Sequence, residues 1–144
     1  MIIIGILAAI AYAVFIGQKT KANDAAAKDN AAALGVDVQS CFQQNDSYAS
    51  CNTQAAMEDN GLPYDTSVTA GSDCTLDPTT GFGGKPDNGK VAVLATGSDC
   101  YLLAARSRDG GLFWIVRLGG GVAERACAPP GQGGCSSNGA WSRG

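Results

Sequence analysis

Six cysteines, at positions 41, 51, 74, 100, 127 and 135, are the residues of this chain with the most chemistry in them. Thiols can ligate metals, attack electrophiles or pair with one another, and their surroundings discriminate among these roles. No two cysteines stand in a CxxC spacing and the chain has no histidine. The ligand pairs of a zinc site are therefore missing, as is the CxxCH of a c-type haem. Without histidine there is also no Ser-His or Cys-His nucleophile pair. Six cysteines in 144 residues then read as a disulfide framework formed in an oxidising compartment. Six cysteines allow 15 pairings. Pairing of sequence neighbours would join Cys41 to Cys51, Cys74 to Cys100 and Cys127 to Cys135. The first of these would clamp a helix end to the loop FQQNDSYAS. The last would close APPGQGG, a loop with no core of its own.

Carboxylates are the other candidates. Asp65, Asp73, Asp77 and Asp87 could pair for acid-base work or offer oxygen ligands to calcium, and PDNG at 86–89 resembles half of a calcium loop. No full EF-hand pattern follows, and the Gly/Pro-rich context is that of solvated turn-formers. Asn45-Asp46-Ser47 matches the N-x-S acceptor pattern, which is common by chance. The expectation is a protein that is not an enzyme, with no catalytic residue, no cofactor and no metal. A formal charge of −3 leaves no basic footprint for nucleic acid.

The elements that carry these residues begin with an uncharged apolar run, MIIIGILAAIAYAVFIG, over residues 1–17. A helix rises about 1.5 Å per residue and a bilayer core of about 30 Å calls for roughly 20 apolar residues. The run is shorter than that. It is a segment cut off at its start, a signal-peptide core, or a helix buried against partner chains. Ala11-Tyr12-Ala13 could serve a signal peptidase, but a positive n-region is missing. No turn cluster interrupts the helical pattern before Phe42, since Gly17 and Gly35 are isolated.

Residues 18–45 continue as an amphipathic half-helix. Ala27, Ala31, Leu34, Val38 and Cys41 recur at intervals of four, three, four and three, one dry stripe. Lys21, Asp24, Lys28 and Asp29 are expected on the wet face, with Asp24 and Lys28 at the favourable acid-before-base spacing. Residues 46–89 read as surface loop, with one strand near Thr66 to Ala70. The densest strand signal lies in 90–126. There KVAVLAT, CYLLAARS and LFWIVRL form a meander, Asp109-Gly110 marks a hairpin, and a short strand is placed around Val122 to Arg125. Residues 127–144 form a disulfide-closed C-terminal region. Phe113 and Trp114 point to opposite faces of their strand, one to the core and the other available for a subunit contact. The fold class is α+β: one antiparallel sheet covering the stripe Ala27, Ala31, Leu34 and Val38.

The string IIIGILAAIAYAVFIGQKTKANDAAAKDN resembles the N-terminal helix of type IV pilins and of the pseudopilins of type II secretion. The resemblance is specific over about the first thirty residues and general beyond them. It implies a small β-sheet head packed on the polar half of a long helix whose apolar half anchors in a membrane and later forms a filament core. Two departures stand out. The family helix begins several residues earlier, with an aromatic N-terminus and a glutamate, so this chain is expected to start inside the mature segment. The family's frequent proline is replaced by Ala13, which leaves a straighter helix.

On that resemblance, Ile4, Gly5, Leu7, Ala8, Ala9, Ala13 and Phe15 would pack in the filament core, the small ones allowing close approach. The partners implied are other copies of the chain, the inner-membrane pilus assembly machinery, prepilin peptidase and, before assembly, the membrane itself. Methylation and extracellular display on a cell-surface pilus follow from the same likeness. Lys19 and Lys21 run against the positive-inside rule for an exported head, a conflict that a basic leader upstream would remove. A major pseudopilin is the nearest alternative, disfavoured by a Cys127 to Cys135 clip. A secreted disulfide-rich binding module with a cleaved apolar start is the second.

Overall fold

The computed structural model describes residues 2–57, 60–75, 77–79 and 84–141, without the side chains of Ile2 and Ala13. Helix α1, Ile2–Asn45, runs unbroken for 44 residues, about 66 Å at the α-helical rise. It contains no proline and is rich in alanine, so nothing removes a ladder hydrogen bond. Its end is well defined. Asp46 adopts a left-handed φ of 54° and returns its N–H to the Phe42 carbonyl at 2.7 Å, a C-terminal cap that occupies an otherwise orphan carbonyl. Ser47 then caps a 3₁₀ turn over Tyr48–Ser50 by accepting from Ala49 N–H.

Four strands follow in simple order: β1 Val91–Thr96, β2 Tyr101–Arg106, β3 Leu112–Arg117 and β4 Glu124–Ala128. Each pairs antiparallel with the next, giving one four-stranded meander. The strands alternate. Val91, Val93, Tyr101, Leu103, Ala105, Phe113 and Ile115 join the helix stripe in one core, while Ala95, Leu102, Trp114 and Val116 gather on the other face. A bulge between Val93 and Ala95 makes both assignments possible on β1, because one extra residue reverses which face later side chains take. The layout is the α+β arrangement expected: a long N-terminal helix with a small antiparallel sheet packed on its C-terminal half.

Two strand expectations need correction. Residues 66–70 do not form a strand. This stretch lies beside β1 through isolated parallel bridges, Tyr64 with Val91 and Gly71 with Ala95. The Asp65 carboxylate, by accepting from Ser67, folds the intervening chain into a turn. The last strand starts at Glu124 rather than Val122 and reaches Ala128. Three consecutive glycines, 119 to 121, prolong the turn before it. Cys127 therefore sits in the sheet, opposite Phe113.

Candidate functional site

The stalk is the first candidate. From Ile3 to Ile16 nine large apolar side chains are exposed, with Ile3 at 73%, Tyr12 at 69% and Phe15 at 66%. Burying one such side chain stabilises by about 1.5–3 kcal/mol, so the set outweighs the roughly 5–15 kcal/mol that holds a typical domain together. Ile4, Gly5, Leu7, Ala8, Ala9 and Phe15 all lie on this uncovered length; the side chain of Ala13 lies outside the described residues. A Cβ added at Gly5 or Gly17 would meet nothing within 4 Å. The best 18-residue window of the helix has mean hydropathy 1.7 and is uncovered by the rest of the chain. By length and composition this helix can cross a membrane, and a signal sequence would pass the same test.

Where the stalk enters the head, the side chains change role. Ala27 is 3% exposed, and Ala31, Leu34 and Val38 are fully buried against the sheet. Asp24, expected on the wet face beside Lys28, is instead 4% exposed. Its Oδ2 accepts the N–H of Gly134 at 2.8 Å. A Cβ on Gly133, where φ is +56°, would collide with the same oxygen. Lys28 does not pair with it. The Lys28 ammonium sits 5.5 Å from the centre of the Phe113 ring, a cation–π distance. Immediately before Asp24, Asn23 Nδ2 donates to Asp109 Oδ2 at 2.7 Å. The stalk is thus fastened to both the β2–β3 turn and the C-terminal loop. The signal for Asp24 was present in the spacing, since it precedes Ala27 by three and so extends the dry stripe downward.

The disulfides are Cys41–Cys51, Cys74–Cys100 and Cys127–Cys135, with Cα separations of 5.9, 6.2 and 5.6 Å. The first fastens the helix end to its following turn, and the last closes the loop that Asp24 grips. The second fastens the surface loop to the β1–β2 turn on the outer face, where Trp114 also packs. Phe113 is 1% exposed and faces the helix. Trp141, which no sequence pattern singled out, is 6% exposed and meets Phe113 edge-on at 6.1 Å. Its Nε1 donates to the Ala126 carbonyl at 2.9 Å.

The loop carboxylates are turn-formers. Asp65 accepts Ser67 Oγ at 2.6 Å and Asp87 N–H at 2.7 Å. Asp73 accepts from Thr75, and Asp77 from Thr79, with the same two-residue offset. The Ser67 hydroxyl and the Asp87 amide hold the Asp65 carboxyl below its ordinary range, against the opposing pull of burial. Asp87 lies 3.5 Å from Lys90. Among the described residues no three His, Cys, Asp or Glu side chains converge as metal ligands. Tyr64 titrates well above an ordinary phenol because it is buried, with Asp37 adding to the shift. Tyr64 borders an open cleft of about 680 Å³ that also meets Gln54, Met57, Val68 and Ala92.

At the far end of the head, Arg117 Nη1 donates to the Tyr48 hydroxyl at 2.9 Å and Tyr48 stacks on Phe42. Burial raises the Tyr48 phenol and the Arg117 charge opposes it. No family model, curated protein or solved structure matches the chain.

Proposed function

We propose that the chain is a structural subunit of an extracellular type IV pilus, polymerising through its apolar N-terminal helix. The observation that carries the reading is the contrast within α1. Below Asn23 its apolar side chains are exposed, and above it one face of the same helix is buried in a disulfide-fastened head. Such a stalk is insoluble in water on its own. It leaves a bilayer only in exchange for an equally dry environment, and identical stalks supply one. Helices rich in small residues approach closely in an apolar medium. Identical head-to-tail contacts whose rotation does not close generate an open helical polymer. The head would then be displayed on the filament surface, and the cytoplasmic membrane would hold the subunit before assembly.

Electron microscopy of material sheared from the cell surface, with mass spectrometry of its main band, tests the reading. Filaments composed of this chain are the expected result. A chain found only as a soluble species starting at Val14 or beyond would overturn it in favour of a secreted module.

A further inference from the structure

Between β1 and the segment beside it the sheet has a gap. Tyr64 bridges Val91 and Gly71 bridges Ala95, so six residues, 65–70, run alongside only three, 92–94. At the first bridge Val91 N–H donates to the Pro63 carbonyl at 2.9 Å and the Val91 carbonyl accepts from Asp65 N–H at 2.8 Å. Val93, two residues on, directs its N–H and C=O to the same edge. A continued parallel ladder would pair them with the Asp65 carbonyl and the Ser67 N–H. Both are diverted: the Asp65 carbonyl accepts from Val68 N–H at 3.4 Å, and Ser67 N–H donates to Asp65 Oδ1 at 3.1 Å. The ladder resumes at Gly71, which bonds the Leu94 carbonyl and the Thr96 N–H. Among the described residues nothing bonds the outward N–H and C=O of Val93. Val93 is 4% exposed, and a donor and acceptor so placed cost free energy until an incoming group satisfies them. It lines the open cleft of about 680 Å³, together with Gln54, Thr66, Val68 and Ala92.

We infer that this cleft binds a short uncharged peptide segment through its main chain. An N–H and a C=O of one residue, aimed the same way, are matched by the C=O and N–H of one residue in a narrow antiparallel pair. A lone trans amide does not match them, because its two groups point in opposite directions. Strand addition of this kind takes affinity from the main chain and specificity from alternate side chains. The bridges at Val91 and Ala95 bound the free edge to about 13 Å, room for about three extended residues. The central side chain falls on the face of Val93, where Met57 and Tyr64 also pack, so an apolar residue suits it. Asp65 is the one charged residue among the described residues of the lining. Its carboxylate is held by Ser67 and Asp87, so no group there favours a charged ligand. The site is confined to the head and does not depend on what the stalk packs against.

The test titrates the capped tripeptide acetyl-Thr-Val-Thr-amide into the full chain in detergent micelles, read by NMR of backbone amides. The expected result is a saturable downfield shift of the Val93 amide proton and slower solvent exchange there. Shifts should accompany it at 66–70 and be absent at 125–128 of β4, the opposite edge of the sheet. Methylating the central nitrogen of the probe removes its donor to the Val93 carbonyl and should weaken binding about tenfold. A Val93 amide that stays unmoved at millimolar probe overturns the site. If the N-methylated probe binds as well as its parent, main-chain pairing is overturned. Equal shifts along β4 would show indiscriminate edge binding and overturn the site as well.

Discussion

The buried carboxylate of Asp24 accepts the backbone N–H of Gly134 at 2.8 Å across 110 residues of sequence. It joins the base of the stalk helix to the loop closed by Cys127 and Cys135. Asp24→Ala should destabilise the head by about 1–3 kcal/mol, because a charge-assisted bond is lost and its donor is left without that partner. Gly133→Ala should also destabilise, since its Cβ would collide with the same carboxylate in a backbone conformation alanine resists. Denaturant midpoints and the rate of proteolysis within 129–134 measure both.

Ala9 contacts no part of the head, being exposed on the stalk. Ala9→Phe should therefore leave the head's unfolding midpoint unchanged while abolishing filaments, because the bulky ring blocks close helix approach. Filaments in normal number from this variant would contradict the proposed packing.

Gly35 lies inside α1 beneath the sheet, and an added Cβ there would meet Ile115 Cδ1 at 3.7 Å and Leu103 Cδ2 at 4.0 Å, ordinary contact. Gly35→Ala should stabilise by about 0.5–1 kcal/mol through helix propensity alone. Thermal unfolding of the folded chain reads the sign.

Asp65 and Tyr64 both contribute to a pH window of the head. The Asp65 carboxyl is depressed in the folded state, chiefly by the Ser67 hydroxyl and the Asp87 amide. Its contribution is fully present above the unfolded value of about 3.9 and is lost as pH falls through the lower folded value. Tyr64 is shifted upward by burial. Its contribution is present below the unfolded value of about 10 and is lost as pH rises through the folded one. Stability should fall at both extremes, with Asp65→Asn blunting the acid limb and Tyr64→Phe the alkaline limb in denaturant titrations.

Replacing Cys127 and Cys135 together by serine removes a closure over a sequence separation of 8. The expected loss is about 2–4 kcal/mol, with loosening concentrated in 129–134. Hydrogen exchange should show the amides of β1 and β2 far less affected than that of Gly134.

The long helix was legible because its two halves have distinct signals: an uncharged run, then apolar residues at intervals of three and four. The sheet was legible because β1 and β3 are rich in β-branched or aromatic residues and β2 is a short apolar run, with glycine-bearing turns between them. Segment 66–70 misled because it has strand-like composition, while a single side chain, Asp65, bends the backbone that follows it. Composition averages over a window, and a turn is decided by one hydrogen bond.

From the residues alone, then, came the exposed apolar stalk, the dry stripe from Ala27 to Val38 and the number of cysteines available to pair. These properties follow from local chemistry and the helical repeat. Only the tertiary structure decided which cysteines meet, that Asp24 is a buried clasp and that Lys28 is an aromatic contact. The Asp24 clasp joins segments 110 residues apart, and the Lys28 contact likewise reaches from the helix to β3; no period within one segment records such meetings.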